Sequence, residues 1–188
     1  MSEIPAGKGL VVIPSRTTKH RPIDYVLCGY YFCQLVCTTL MDTQGVYPEW
    51  LYPDFLKAVY HHYLDVYHDP FLRNAWKYPW FLSMCLVEHV IGLPFFAWAS
   101  YSYYYGALNR PQIIIPGMIY STYAIGCVVA VNAMVILEDF SSYGEGAPQT
   151  TGHRLLLCFV YTVILGFFLI NVIDSYYLTM NAILIPRQ

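Results

Sequence analysis

The chain is built from long, charge-poor apolar runs separated by polar segments that hold most of the prolines. The first run, from Ile23 to Met41, contains the stretch VLCGYYFCQLVCTTLM without a charge. Three more runs follow at about 80–104, 113–137 and 153–177. Each is close to the roughly 20 residues that a helix needs to cross about 30 Å of hydrocarbon. The pattern therefore predicts an all-α integral membrane protein, a four-helix bundle of spans. Pro94 lies inside the second run and Pro116 near the start of the third. A proline removes a backbone donor and crowds the carbonyl four residues back, so the spans are expected to be kinked.

The polar segments set the remaining organisation. Residues 1–22 carry Pro5, Pro14 and Pro22 with Lys8, Arg16, Lys19 and Arg21, and read as a disordered tail. No small-residue cleavage site follows the first apolar run, so the tail does not read as a signal peptide. Segment 42–79 holds Pro48, Pro53, Pro70 and Pro79 with His61, His62 and His68. Within it, 54–66 fits a short helix in which Tyr60 and Tyr63 blur a stripe of Phe55, Val59 and Leu64. Such a helix suits either the membrane interface or a cover over the bundle. A turn at 106–112, an acidic loop at 138–152 and a second tail at 178–188 complete the chain. That last tail ends in IPRQ, without a dilysine or KDEL-type address.

Lys8, Arg16, Lys19, Arg21, Arg110 and Arg187 fall on one side of the four spans, against Lys57, Arg73, Lys77 and Arg154 on the other. Three of the former crowd the start of the first span, which places both termini in the cytoplasm and 42–79 in the lumen. Composition agrees with lipid contact: hydrophobic residues make up 57% and charged ones 12%, where soluble domains carry about 25% charged. A net charge of −2 with no basic block argues against a nucleic-acid partner. Six cysteines sit inside apolar runs without CxxC spacing and read as small apolar side chains. Many of the nineteen tyrosines end apolar runs, as an aromatic belt would.

Against this background, intramembrane acids stand out, because a carboxylate at mid-span costs at least about 2.5–3.5 kcal/mol. Glu88 lies about 12 Å below Trp80 along a helix, and Asp42 closes the first span on the same side. The two can meet in one half of the bundle, share a proton and carry a net charge of about −1 that a cationic ligand neutralises. Alternatively Asp42 is an interfacial cap and Glu88 pairs with a packing donor. His89 points about 100° away from Glu88 and reads as a packing histidine. Asn132 and Asn171 suit hydrogen bonds between helices, and Asp174 can snorkel to the interface. His61 and His62 lack HxxxH or HExxH spacing, so no metal is expected. No phosphate loop, GxSxG elbow or Walker pattern is present.

The segments MDTQGVYPEWLYP (41–53), DPFL (69–72), WFLSMCLVEHVIGLPFF (80–96) and YSTYAIGCVVAVNAMVILEDFS (120–141) together resemble the sigma-2 receptor family. These are four-span endoplasmic-reticulum proteins of the EXPERA group, related to the emopamil-binding sterol isomerases. The resemblance covers the chain from about residue 21 to 175. It implies a membrane-facing pocket for sterols and cationic amphiphiles, in which Asp42 pairs with a ligand amine and Glu88 is its protonated partner. Met41, Gln44, Tyr120, Val160 and Tyr161 match further pocket positions. Gln34, Gly92 and Cys127 stand where animal members carry a pocket histidine, glutamine and threonine, changes that alter the hydrogen-bonding groups and size of the pocket. The family pattern includes homodimers, and the basic C-terminal retention signal of animal members is absent.

Three functions follow from this resemblance. The first is a non-enzymatic protein that binds sterols or cationic amphiphiles for lipid homeostasis or trafficking in the endoplasmic-reticulum membrane, with no cofactor. The second is an adaptor or quality-control factor working through a membrane-protein partner. The third is a sterol double-bond isomerase, which needs an acid to protonate the alkene and a group to stabilise the carbocation. The related isomerases use a His–Glu–Glu constellation that this sequence does not supply.

Overall fold

The computed structural model describes residues 20–144 and 146–184. The tail expected over 1–22, apart from its last three residues, and residues 185–188 lie outside that description. Seven α-helices are described: α1 (Pro22–Leu40), α2 (Asp54–Tyr67), α3 (Pro70–Arg73), α4 (Pro79–Val87), α5 (Leu93–Tyr104), α6 (Ile114–Leu137) and α7 (Thr151–Leu184). No strand is present among the described residues. Helix α1, the α4–α5 unit, α6 and α7 are each long and apolar enough to cross a membrane. The chain is thus an all-α, multi-pass membrane protein in contact with the lipid bilayer. The fourth span, α7, runs beyond residue 177 as far as Leu184.

Local chemistry explains where the helices start and stop. Pro22 and Pro79 occupy first-turn positions, where a missing N–H costs nothing. The backbone N–H of Arg21 donates to the Asp24 carboxylate at 3.2 Å, placing negative charge at the N-terminus of α1. The expected break in the second span is a π-helical turn, Glu88–Gly92, between α4 and α5. Pro94 cannot donate to the carbonyl four residues before it, and the chain widens so that Leu93 donates to Glu88 across five residues. The helical distortion therefore begins at Glu88.

Helix α1 packs chiefly on α5, and α6 on α7. Helix α2 covers the end of the bundle where α1 and α6 finish and α4 and α7 begin, burying Tyr60 and Leu64 against Phe71, Phe81, Val135 and Leu157. Gly45 permits this cover: a Cβ there would meet the Leu72 carbonyl oxygen at 2.7 Å, and the same oxygen accepts from Tyr60 at 2.9 Å. A second core at the opposite end joins Leu27, Tyr31, Phe96, Tyr103, Ile113 and Phe168.

Several polar residues inside the spans bridge helices. Asn171 is fully buried; its Nδ2 lies 2.7 Å from Tyr31 Oη, 2.8 Å from Ser121 Oγ and 3.1 Å from the Gly117 carbonyl oxygen. Its Oδ1 accepts from Tyr103 at 2.5 Å. One amide thus links α1, α5, α6 and α7, as the sequence suggested for a helix-bridging asparagine. For Asn132 no such bond forms at Oδ1, which is buried without a partner. Asp174 accepts two bonds from Arg21, at 2.8 and 2.9 Å, and Arg21 also reaches Asp24 at 2.5 Å, so the cluster ties the start of α1 to α7. All six cysteines are free thiols.

Candidate ligand-binding site

A cavity of about 790 Å³ lies between the two cores. Helix α1 and the turn after it contribute Gln34, Cys37, Met41 and Asp42; α2 contributes Val59, His62, Tyr63, Val66 and Tyr67. Helix α4 and its π turn supply Met84, Cys85 and Glu88, α6 supplies Tyr120, Tyr123 and Cys127, and α7 supplies Phe159, Val160, Tyr161 and Phe168. The walls are aliphatic and aromatic for the most part. Asp42 and Glu88 are the only carboxyl groups among the lining residues, and no Lys or Arg joins them.

The backbone places the two acids together. Asp42 opens the short 3-10 turn Asp42–Gly45 that ends α1, and Glu88 opens the π turn that ends α4. Thr38, fully buried one turn before Asp42, donates to Glu88 Oε1 at 3.4 Å and also lies against the Asp42 carboxyl. With one proton shared, such a pair presents a single negative charge to whatever enters.

Of the ten pocket residues expected from the sequence, Gln34, Met41, Asp42, Glu88, Tyr120, Cys127, Val160 and Tyr161 line the cavity. Gln44 and Gly92 do not. The Gln44 side chain turns away and donates to the carbonyls of Leu40 and Leu56, at 2.5 and 3.3 Å, which ties the end of α1 to α2. Gly92 stands behind the wall, where a Cβ would collide with the Tyr120 hydroxyl. His89 is also outside the cavity: its ring lies 5.4 Å from that of Tyr47, and both ring nitrogens are buried without a partner. Among the described residues, no cluster of His, Cys, Asp and Glu could hold a metal ion.

A model of the EXPERA family, the expanded EBP superfamily, matches residues 55–175. Sigma intracellular receptor 2 of Xenopus tropicalis is 30% identical over 141 residues, covering 75% of this chain and 80% of its own. Its counterparts in Homo sapiens and Macaca fascicularis are 31% identical over 144 residues, with the same coverage. The chain belongs to the EXPERA family. Its relatives place it among the sigma-2-receptor-like members.

This EXPERA chain holds a third acid at the cavity that sequence reasoning passed over. Asp69 is fully buried behind the wall. One oxygen caps α3, accepting from the amides of Phe71 and Leu72 at 3.0 Å each. The other accepts from Tyr161 at 2.8 Å and Tyr63 at 3.3 Å. Burial pushes the Asp69 carboxyl up, while the Leu72 amide, the Tyr161 phenol, the Phe71 amide and the Tyr63 phenol pull it down. Asp69 thereby fixes two cavity-lining phenols from opposite sides, Tyr63 on α2 and Tyr161 on α7. The Asp-Pro pair at 69–70 is a legible helix-start signal. Nothing local announces that two tyrosines 92 and 6 residues away share the cap.

Proposed function

We propose that this protein binds a sterol or a cationic amphiphile in the cavity, as a non-enzymatic lipid-handling protein of the endoplasmic-reticulum membrane. The observation that carries this reading is the isolation of Asp42 and Glu88 as the only carboxyl groups lining an otherwise largely apolar cavity. In that setting a ligand ammonium meets the Asp42 carboxylate, and Glu88, holding the shared proton, donates to it. The volume of about 790 Å³ falls within the roughly 300–1,000 Å³ typical of small-molecule sites. The long walls of Phe, Tyr and Val suit a rigid hydrocarbon body. Tyr161 and Tyr63, held by Asp69, supply fixed aromatic surface rather than free hydroxyls.

The test is equilibrium binding of a labelled cationic amphiphile to the purified protein in nanodiscs, with a sterol as competitor. Asp42→Asn should weaken the amphiphile by about 30-fold or more, the loss of a desolvated charge contact worth at least about 2 kcal/mol. Glu88→Gln, which keeps a donor, should weaken it less. Equal affinity in wild type and Asp42→Asn would remove the charged pocket from the account. Analysis of the recovered sterol separates binding from double-bond isomerisation.

A further inference from the structure

The segment that covers one end of the bundle shows an unexpected outer surface. Trp50 is 80% exposed, Phe55 67% and Trp76 69%, with Leu51 and Val59 also exposed beside them. On α2, Phe55, Val59, His62 and Val66 fall within about 60° of arc at 3.6 residues per turn. Tyr60 and Leu64, on a second face, enter the core. Asp54, His61 and Asp65 form a third face, where Asp54 pairs with Lys57 at 2.6 Å and Asp65 with Arg73 at 2.9 Å. A helix that only covered a bundle would need two faces, one apolar and one polar. This helix has three.

We propose that residues 49–67 lie in the headgroup region of the bilayer, with Trp50, Leu51, Phe55 and Val59 seated in lipid and the Asp54–His61–Asp65 face in water. The occupant is lipid rather than a second protein because this face continues the lipid-facing surface of the spans. Val59 and Val66 line the cavity alongside Phe159 and Val163 of α7, which are exposed on the side of the bundle. Trp76 supports the same reading. Its indole N–H donates inward to the Val46 carbonyl at 2.9 Å, so the exposed remainder is an apolar ring that water cannot satisfy. Indole rings of this kind concentrate at membrane interfaces. At the opposite end, Tyr101, Tyr104, Tyr176 and Tyr177 are exposed in the same manner. The 24 residues of α6 between the two belts span about 36 Å, close to the hydrocarbon thickness plus part of each headgroup layer. A histidine in the lipid-facing arc fits as well, since an imidazole can bury its body and keep its tip wet. The proposal puts the cavity mouth at headgroup depth, and it stands whether or not the cavity binds a ligand.

The test uses the full chain in phosphatidylcholine vesicles and compares wild type with Trp50→Phe, a change at an exposed side chain that leaves the core intact. The difference in fluorescence isolates Trp50. Lipids brominated near the head of the acyl chain should quench most of that difference, lipids brominated near the chain middle should quench less, and aqueous iodide should quench little. Trp76→Phe gives an independent second reporter with the same expected order. Strong quenching by iodide with none by brominated lipid would put the segment in water and overturn the proposal. Protection from both quenchers would mean that protein, such as a second copy of the chain, covers the face, and would overturn it equally.

Discussion

Gly92 and Tyr120 show how much one missing side chain decides. Gly92 lies in the π turn, one helical turn beyond Glu88, and the Tyr120 phenol fills the space a Cβ would take. The ring then stacks on Phe95 at 4.5 Å between centroids and forms part of the cavity wall. Gly92→Ala should force Tyr120 out of this position and destabilise the protein by about 1–3 kcal/mol, as overpacking does. In a Tyr120→Phe background the clashing oxygen is gone and the ring carbon lies 3.3 Å away, so the cost should shrink. Thermal melts of the four proteins in one detergent check this, and strictly additive losses would refute the contact. In the sequence Gly92 is a departure from a family pocket position. Its role as the seat of Tyr120 depends on α6 lying against the second span, which local spacing does not encode.

At the scale of elements, the second span and the start of α1 carry the argument. Pro94 announced a break, yet the π turn placed the distortion at Glu88–Gly92, because the lost hydrogen bond is absorbed upstream of the proline. Glu88 is consequently both the first residue of the bulge and a lining residue of the cavity. The Arg21–Asp24–Asp174 cluster adds an ionic tie between the start of α1 and α7 to the apolar packing of the same two helices. Removing one partner leaves the remaining charges uncompensated, so Arg21→Met should cost about 3 kcal/mol. Adding Asp174→Asn to that variant should recover part of the loss, since one stranded carboxylate disappears. Unfolding measured for the single and double variants gives the coupling energy, and a double variant no better than Arg21→Met would rule out the ion pair as a helix clamp.

Across the whole molecule, two aromatic cores hold the ends of the bundle and leave the middle open. A hydrocarbon bound in this cavity would add contacts with its walls. Ligand binding should therefore stabilise the fold by mass action, by about 2.7 kcal/mol at a ligand concentration 100 times Kd. A cationic amphiphile should raise the midpoint of thermal unfolding of wild type and leave that of Asp42→Asn nearly unchanged at the same concentration. A shift of equal size in both would mean that the amphiphile acts on the surrounding detergent or lipid, away from the carboxyl pair.

Hydrophobic run length determined the fold class, since a backbone in lipid must close its own hydrogen bonds and four charge-poor runs of about 20–25 residues have the length of spanning helices rather than of the shorter strands of a barrel. The cost of a carboxylate in hydrocarbon singled out Glu88, and its side of the membrane paired it with Asp42. Segments 41–53, 69–72, 80–96 and 120–141 carried the family resemblance. Tertiary structure decided what depends on long-range neighbours. It turned Gln44 toward backbone carbonyls, set Gly92 behind Tyr120 and matched Asp174 to Arg21. It also gave Asp69 two phenols from separate helices. A period or a motif reports the face of one helix. Which other helix meets that face is settled by packing, which couples residues far apart in the chain.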